Sequence, residues 1–297
     1  MALQTVGILS PGDMGHAVGA MLHSQGLRVL TCLEGRSDRT RGLAAEAGFE
    51  AVPTLEDLVR EAQIILCILV PSEAPGVAQA VAEAIRREGS ERSRDLLYAD
   101  CNAIAPRTVR AIEETIVAAG ARFADVGIVG GPPQQPHTTK FYTSGTGATE
   151  FAQLNDFGLA VRVLDGPAGQ ASGFKMCYGA LTKGIQALGT ELLIAAERFG
   201  FAEAFAAEQA ESVPVLRTHL ERSLPTMPPK AYRWVGEMEE IATCFADLGM
   251  TPNILLGAAD IFRFVADTPI GKETPETRDR NRKADGVIAA LAKEVAG

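Results

Sequence analysis

The sequence predicts an α/β fold, with a Rossmann-like N-terminal domain built on a doubly wound, mostly parallel sheet and an all-α C-terminal domain. Three observations predict it. A short apolar strand at Thr5–Leu9 leads into a glycine-containing turn and then a helix. Apolar strands alternate with helical segments through residues 1–165, which is typical of a parallel sheet. From Ala168 onward there is no convincing strand pattern. We therefore expect one domain at 1–165 and a second at 166–297.

Length and composition limit the possible functions. The chain has 297 residues, of which 46% are hydrophobic and 22% charged, so each of about two domains can bury a core. Its net charge of −9 argues against nucleic acid as a partner. It has no run of 18 apolar residues, so no membrane span is expected. The N-terminal Met-Ala-Leu-Gln-Thr lacks the basic region of a signal peptide, and we expect a cytoplasmic protein.

Cysteine and histidine spacing gives no sign of a metal. The five cysteines are scattered without a Cys-x-x-Cys pair, and the four histidines have no ligand spacing. We predict buried thiols in a reducing compartment and no bound metal.

The first domain follows from its strands and helix starts. The predicted strands are Thr5–Leu9, Arg28–Leu33, Phe49–Val52, Ile64–Val70, Leu96–Asp100, Phe123–Val129, Lys140–Ser144 and Leu159–Leu164. The continuous apolar run at Ile64–Val70 is typical of a strand covered on both faces. Thr54 with Asp57, and Ser72, are predicted N-caps of the intervening helices.

The second domain is predicted from helical stripes. Apolar residues at spacings of four and three predict one long amphipathic helix ending at Gly200; they are Phe174, Tyr178, Leu181, Ile185, Leu188, Leu192, Ala195 and Phe199. A second stripe from Trp234 to Leu248 follows Pro228-Pro229 and stops at Gly249. We predict a kinked helix at 202–223 near Pro214, and a solvated helix in the charged tail after Gly271.

The N-terminal turn has the sequence of a phosphate-binding cradle, Ser10-Pro11-Gly12-Asp13-Met14-Gly15. Glycines allow the backbone to approach a pyrophosphate, and the N–H groups that begin the next helix point at it. Ser10 stands where the dinucleotide fingerprint G-x-G-x-x-G has its first glycine. Glu34 follows the second strand at the spacing of about 20 residues that the fingerprint requires. We predict a nicotinamide dinucleotide site that includes these residues and Val70.

The choice of cofactor depends on Glu34-Gly-Arg36-Ser37. An acid at this position favours the ribose 2′-hydroxyl of NAD, whereas an Arg-Ser pair suits the 2′-phosphate of NADP. Arg39 and Arg41 add positive charge nearby. We predict NADP, with NAD as the alternative.

Four motifs resemble those of the β-hydroxyacid dehydrogenase superfamily, which includes 3-hydroxyisobutyrate and 6-phosphogluconate dehydrogenases. Gly12-Asp13-Met14-Gly15 is similar to its G-x-M-G turn, and Asp100-Cys-Asn-Ala-Ile-Ala-Pro106 to its strand end before Ser-Thr-x-Ser-Pro. Asp125-Val-Gly-Ile-Val-Gly-Gly131 resembles its Asp-Ala-Pro-Val-Ser-Gly-Gly substrate motif, and Gly166 to Lys175 its glycine-then-lysine motif. The segment Pro229–Glu240 resembles a branch with a C-terminal helical domain of unknown function.

The resemblance implies roles for particular residues. Lys175 would donate or accept the substrate proton, Gly130 and Gly131 would hold a substrate carboxylate through their N–H groups, and the helical domain would form a homodimer. Asn102 lies just past a strand end, where its amide could contact the nicotinamide carboxamide or a substrate oxygen. The neighbouring loop at 132–139, which contains His137, could close over the cleft.

Two positions depart from the family pattern. Gly179 replaces an asparagine four residues after the lysine, and Val129 replaces a serine before the glycine pair. Gly179 and Thr182 share a helix face with Lys175, so we place them in the substrate site, with Gly179 leaving room beside the lysine. The altered positions argue against the usual substrates of the family.

The predicted function is an NAD(P)-dependent oxidoreductase acting on a small hydroxy or oxo acid. One alternative is imine reduction, although imine reductases of the superfamily usually carry Asp or Tyr where this chain has Lys175. The other is a non-catalytic NADP-binding module.

Overall fold

The computed structural model describes residues 2–89, 95–274 and 277–295. The chain divides into two compact units, Met1–Met176 and Cys177–Gly297. The expected boundary after residue 165 lies earlier than this division. The difference arises because the first turns of the long helix pack on the sheet of the first unit, as described below.

The elements of the first unit alternate as expected. In chain order they are β1 Thr5–Leu9, α1 Asp13–Ser24, β2 Arg28–Cys32, α2 Asp38–Glu46, β3 Glu50–Val52, α3 Leu55–Glu61, β4 Ile64–Cys67, a 3₁₀ turn Pro71–Glu73, α4 Ala74–Glu88, β5 Leu97–Asp100, α5 Pro106–Ala118, β6 Arg122–Val129, β7 Lys140–Ser144, α6 Ala148–Phe151, a 3₁₀ segment Ala152–Phe157 and β8 Ala160–Val163. The helix α7, Gln170–Phe199, begins in this unit.

One eight-stranded sheet has the order β3-β2-β1-β4-β5-β6-β7-β8. All neighbouring strands pair in parallel except β6 and β7. This confirms the predicted α/β class and mostly parallel sheet. Because β1 pairs with both β2 and β4, the strand order reverses at β1, and the crevice beyond the carboxyl ends of β1 and β4 is where such folds bind ligands.

Apolar side chains cover both faces of the sheet. Tyr98 and Phe123 are fully buried in the core on one face, and Phe141 and Phe151 in the core on the other. A reciprocal Thr54–Asp57 capping box begins α3, as the sequence predicts.

Two predicted boundaries in this unit are wrong. The strand predicted at Ile64–Val70 ends at Cys67, because the Leu69 N–H bonds to the Asn102 side chain and the chain then enters a 3₁₀ turn at Pro71. The N-cap of α4 is Glu73 rather than Ser72.

All regular elements in the described residues of the second unit are helical. After α7 come α8 Ala202–Ser212, α9 Pro214–Ser223, 3₁₀ turns Leu224–Thr226 and Pro228–Lys230, α10 Ala231–Asp247, α11 Asn253–Asp267, a 3₁₀ turn Pro269–Lys272 and α12 Ala284–Glu294. Gly200 follows α7 with a φ of 78°, a left-handed conformation that suits glycine.

Three helical predictions need correction. The chain breaks at Val213 instead of kinking, because Pro214 starts a new helix at its first position. Helix α11 was not predicted. The tail helix α12 is not simply solvated, since it buries Val287 and Leu291. Residues 275–276 and 296–297 of that tail lie outside the described residues.

The apolar stripe on α7 is exposed over much of its length. We define the α7 stripe by its members in the second unit with large exposed side chains, which are Tyr178, Leu181, Leu188, Leu192 and Phe199, at 46%, 58%, 56%, 45% and 75% exposure. The side of the helix that is buried instead carries small residues such as Gly179, Ala187 and Gly189.

Candidate functional site

The turn after β1 has the backbone of a phosphate cradle even though it begins with serine. Ser10 has a φ of 59°, the left-handed region that usually favours glycine and costs another residue about 1 kcal/mol. A Cβ on Gly15 would lie 3.1 Å from the Ser10 carbonyl oxygen, so helix and turn approach closely there. Pro11 is buried and Met14 packs against the core below. Ser10 thus adopts the conformation of the glycine it replaces.

The start of α1 leaves backbone donors for an anion. Gly12 is the N-cap, and its carbonyl accepts the first helical bond from the His16 N–H. Asp13, Met14 and Gly15 therefore present N–H groups without an intrahelical acceptor. A Cβ on Gly12 would meet only the Ser10 oxygen, at 4.0 Å. Open space and free amides at one helix N-terminus fit a pyrophosphate.

The loop after β2 carries the residues that are expected to determine whether NAD or NADP is preferred. Glu34 is exposed, and Ser37 is the N-cap of α2, where its side chain accepts from the Thr40 N–H. The Arg41 guanidinium donates to the carbonyl oxygens of Leu33 and Arg36, which braces the loop. Arg36 therefore lies in a turn that is held by two hydrogen bonds from Arg41.

Val70 lies just past the end of β4 and is 64% exposed. Burial raises the pKa of the nearby Cys67 thiol to about 12, and the positive charge of Arg36 opposes that rise. The charge of Arg36, in the loop after β2, is thus close enough to the end of β4 to act on the Cys67 thiol.

Three polar side chains form a row across neighbouring strands, at the carboxyl ends of β4 and β5 and in the middle of β6. Cys67 pairs in register with Asp100, and Asp100 with Asp125. Residues paired across neighbouring strands point to the same face of the sheet. Asp100 is 1% and Asp125 0% exposed, so the row places two carboxyl groups in the interior.

Asp125 fastens the start of α7 to the sheet. Its Oδ2 accepts from the backbone N–H groups of Gly169 at 2.8 Å and Ser172 at 3.0 Å, and from Ser144 Oγ at 3.0 Å. Its Oδ1 accepts from Ser172 Oγ at 2.6 Å. A carboxylate is favourable at a helix N-terminus because it satisfies orphan donors and complements the helix dipole.

Gly127 allows α7 to lie directly on β6. A Cβ at Gly127 would be 2.6 Å from the Ala171 carbonyl oxygen and 3.2 Å from Lys175 Cβ. Since backbone atoms cannot yield at 2.6 Å, only glycine permits this approach. Asp125 and Gly127 together place Lys175 against the sheet.

Lys175 is partly buried and acts electrostatically on Asp100. Burial raises the pKa of Asp100 to about 6, the charge of Asp125 adds to the rise, and hydrogen bonds from Asn102 and the charge of Lys175 oppose it. Asp100 Oδ2 has no hydrogen-bond partner among the described residues. Lys175 and a carboxyl group with a raised pKa thus lie on the same face of the sheet.

The expected catalytic residue Asn102 is 2% exposed. Its Oδ1 accepts from the Leu69 N–H at 2.8 Å, its Nδ2 contacts Cys67 Sγ at 3.4 Å, and its own N–H donates to Asp100 Oδ1 at 3.0 Å. These bonds tie the ends of β4 and β5 together. They favour a positioning role over the direct contact expected from the sequence.

Gly130 and Gly131 leave β6 at the same edge. Gly130 has a φ of 120°, and the Gly131 carbonyl accepts from Thr139 Oγ1 at 2.6 Å. The following loop is tied down at His137, whose N–H donates to the Gly158 carbonyl and whose Nδ1 lies 2.8 Å from the Leu159 carbonyl. His137 therefore anchors the loop.

Gly179 and Thr182 belong to the second unit. A Cβ at Gly179 would lie 3.2 Å from Ile241 Cδ1, so helix packing by itself accounts for glycine at this position. The same contact limits the space that the sequence predicted beside Lys175. Thr182 Oγ1 donates to the Tyr178 carbonyl one turn back. Their substrate role stays a prediction.

Sequence reasoning missed the roles of Asp125 and Gly127. One signal could have found them. The two residues are two positions apart in the predicted strand, so their side chains lie on the same face, and both belong to the Asp125–Gly131 motif. Among the described residues no group of His, Cys, Asp and Glu could hold a metal ion. No helix in the described ranges is long and apolar enough to cross a membrane.

Comparisons with known proteins agree with this geometry. A family model described as the NAD binding domain of 6-phosphogluconate dehydrogenase matches residues 5–157, and a domain of unknown function, DUF1932, matches residues 196–265. An uncharacterized 28.5 kDa protein of Methanothermus fervidus is 25% identical over 195 residues, which cover 66% of this chain and 72% of that protein.

Two solved structures extend the likeness over most of the chain. The conserved protein MTH1747 of unknown function, described as structurally similar to 3-hydroxyacid dehydrogenases, is 28% identical with a TM-score of 0.75, covering 89% of this chain and 97% of that one. The 3-hydroxyisobutyrate dehydrogenase of Mycobacterium tuberculosis, solved with L-serine, is 20% identical with a TM-score of 0.74. The match covers 98% of this chain and 99% of that one, and it shows that the two proteins share a fold. The chain therefore belongs to the family of the NAD-binding domain of 6-phosphogluconate dehydrogenase, in the β-hydroxyacid dehydrogenase-like group with a C-terminal helical domain.

Proposed function

We propose that this protein is an NADP-dependent oxidoreductase that exchanges a hydride with a small hydroxy or oxo acid, using Lys175 as proton donor and acceptor. The observation that carries the proposal is the anchoring of Lys175 to the sheet by Asp125 and Gly127. A lysine held beside the carboxyl half of β6 supports this role, because folds of this kind do their chemistry beyond the carboxyl ends of their strands.

The residues present fit a nicotinamide dinucleotide. The amides at the start of α1 would hold its pyrophosphate, and the Arg36 guanidinium would hold a 2′-phosphate. When bound, the nicotinamide supplies or accepts the hydride. NAD is the alternative, and Glu34 would then bind the ribose hydroxyl.

Lys175 would complete the reaction. In reduction its Nζ would give a proton to the substrate carbonyl oxygen, and in oxidation it would take the hydroxyl proton. The N–H groups of Gly130 and Gly131 would hold the substrate carboxylate beside it. Asn102 would act indirectly, since its bonds to Leu69 and Asp100 position the strand ends.

Lys175→Met tests the assignment. We expect turnover to fall by about 10²–10⁴-fold, the usual contribution of a positioned acid or base, while NADPH binding followed by nicotinamide fluorescence stays unchanged. Lys140→Met, which alters an exposed lysine of β7 in the same unit, is the matched control. The substrate panel should contain 3-hydroxy acids with NADP, 3-oxo acids with NADPH, and cyclic imines with NADPH.

The outcomes separate the alternatives. Unchanged turnover in Lys175→Met would refute the role of the lysine. Turnover of imines but of no acid would favour an imine reductase. Tight NADPH binding without turnover of any substrate would favour a cofactor-binding module.

We also propose that the protein is a homodimer formed through its helical unit. The support is the α7 stripe, because large apolar side chains rarely line one exposed helix face without a partner. A second copy presenting the same stripe would cover it by twofold symmetry.

A further inference from the structure

A cavity of about 250 Å³ in the helical unit is lined mainly by cationic side chains. Its lining, which we name the basic cavity, consists of Thr226, Pro229, Lys230, Arg278 and Arg280. Lys230 ends the 3₁₀ turn before α10, whereas the two arginines come from the segment that precedes α12. The fold therefore brings cations together from segments distant in sequence.

The described residues provide no carboxylate that pairs with these cations. Within the described ranges, Lys230, Arg278 and Arg280 make no ion pair, whereas the nearby Arg282 pairs with Glu273 at 2.7 Å. No acidic residue in the part of the chain that the structure describes lines the cavity, although Asp279 lies between the two arginines in sequence and accepts from the Asn281 N–H.

Lys230 is one of the three cations that line the basic cavity. It is half-buried, and the hydrogen bond that it makes is to Thr226 Oγ1 at 3.5 Å. Burial lowers the pKa of Lys230, and the positive charges of Arg233 and Arg278 lower it further. Holding the lysine protonated beside other cations costs free energy that a bound anion would offset.

We propose that the basic cavity binds a phosphate-type oxyanion, either free or as the phosphate group of a small metabolite. The lysine supplies a point charge and the arginines supply planar pairs of N–H donors, a combination that suits phosphate. The small volume favours one compact anionic group over an extended acidic peptide. This site goes beyond the proposed oxidoreductase function and does not depend on it.

Titration of the full-length protein with inorganic phosphate tests the site, by calorimetry in a phosphate-free buffer at low salt. Because phosphate could also occupy the cofactor cradle, the titration is repeated with saturating NADPH. We expect saturable binding that survives NADPH and that weakens at least tenfold in Lys230→Gln and in Arg278→Gln. Arg280→Gln alters an exposed side chain, so of the three cavity variants it should disturb folding least. We expect it, too, to bind phosphate more weakly than the wild type.

Lys293→Gln, an exposed lysine on α12 outside the cavity, should bind phosphate as the wild type does. Absence of saturable binding would overturn the proposal. So would complete displacement by NADPH, or equal binding by all three cavity variants and the control. If only an acidic peptide bound, the small-anion assignment would be overturned as well.

Discussion

Ser172 donates to both oxygens of Asp125, with its Oγ 2.6 Å from Oδ1 and its backbone N–H 3.0 Å from Oδ2. One buried carboxylate on β6 thereby holds the first turn of α7, and Lys175 follows three residues later on the same helix. The proposed catalytic side chain is thus positioned by a strand residue 47 positions earlier than Ser172.

Asp125→Ala should lower both stability and activity. The substitution leaves buried donors of Gly169, Ser172 and Ser144 without their acceptor, so we expect the free energy of unfolding to fall by about 3 kcal/mol. Asp125→Asn keeps one acceptor oxygen and should cost less. Urea denaturation measures the effect, and the exposed Asp165→Ala should change stability by less than about 0.5 kcal/mol. Equal stability of the two alanine variants would contradict the anchoring role.

The raised pKa of Asp100 predicts a specific pH dependence. Its folded value is about 6 and its ordinary value 3.8, so between these values the folded state holds a proton that the unfolded state has lost. The contribution of Asp100 to stability is therefore greatest below pH 4 and declines as pH rises through about 6.

Asp100→Asn removes this titration. The unfolding free energy of the wild type minus that of Asp100→Asn should fall between about pH 4 and pH 6.5 and stay constant above pH 7. Urea titrations at several pH values measure the difference, and other titrating groups cancel in the comparison. A difference that does not change with pH would show that Asp100 titrates normally.

Arg36→Ala should weaken NADPH much more than NADH. If Arg36 holds the 2′-phosphate as proposed, its loss removes a charge-assisted contact that NADH does not make, so we expect KM for NADPH to rise about tenfold or more. Arg41→Ala is the informative comparison, because Arg41 shapes the same loop through the Leu33 and Arg36 carbonyls and should affect both cofactors alike. An equal effect of Arg36→Ala on the two cofactors would argue for NAD and Glu34.

The α7 stripe predicts that two charged substitutions will separate the proposed homodimer. Leu181 and Leu188 are 58% and 56% exposed, so glutamate at both positions should leave the fold intact but place unpaired charges in the interface. Light scattering coupled to size exclusion should show a dimer for the wild type and a monomer for the double variant. Val117→Glu, on an exposed side chain of α5, should remain dimeric. A wild type that is monomeric at high concentration would refute the proposal.

The sequence by itself determined what local patterns can specify. Alternating strands and helices predicted the sheet, the glycine turn predicted the cradle after β1, and the stripe with Gly200 predicted α7 and its end. These features depend on residues that are close together in the sequence. The period of the apolar residues and the positions of the glycines therefore reveal them. The strand end at Cys67 was missed because a distant side chain, Asn102, takes the Leu69 N–H.

Only the tertiary structure decided how distant segments meet. Asp125 and Ser172 are joined across 47 positions, and Gly127 is required by a helix backbone that lies far along the chain. The direction of the α7 stripe was also undecided, because an apolar stripe has the same period whether its own chain or another molecule covers it. Packing left the large side chains of the α7 stripe exposed while it buried small residues such as Ala187 and Gly189, and no pattern within the helix distinguishes these outcomes.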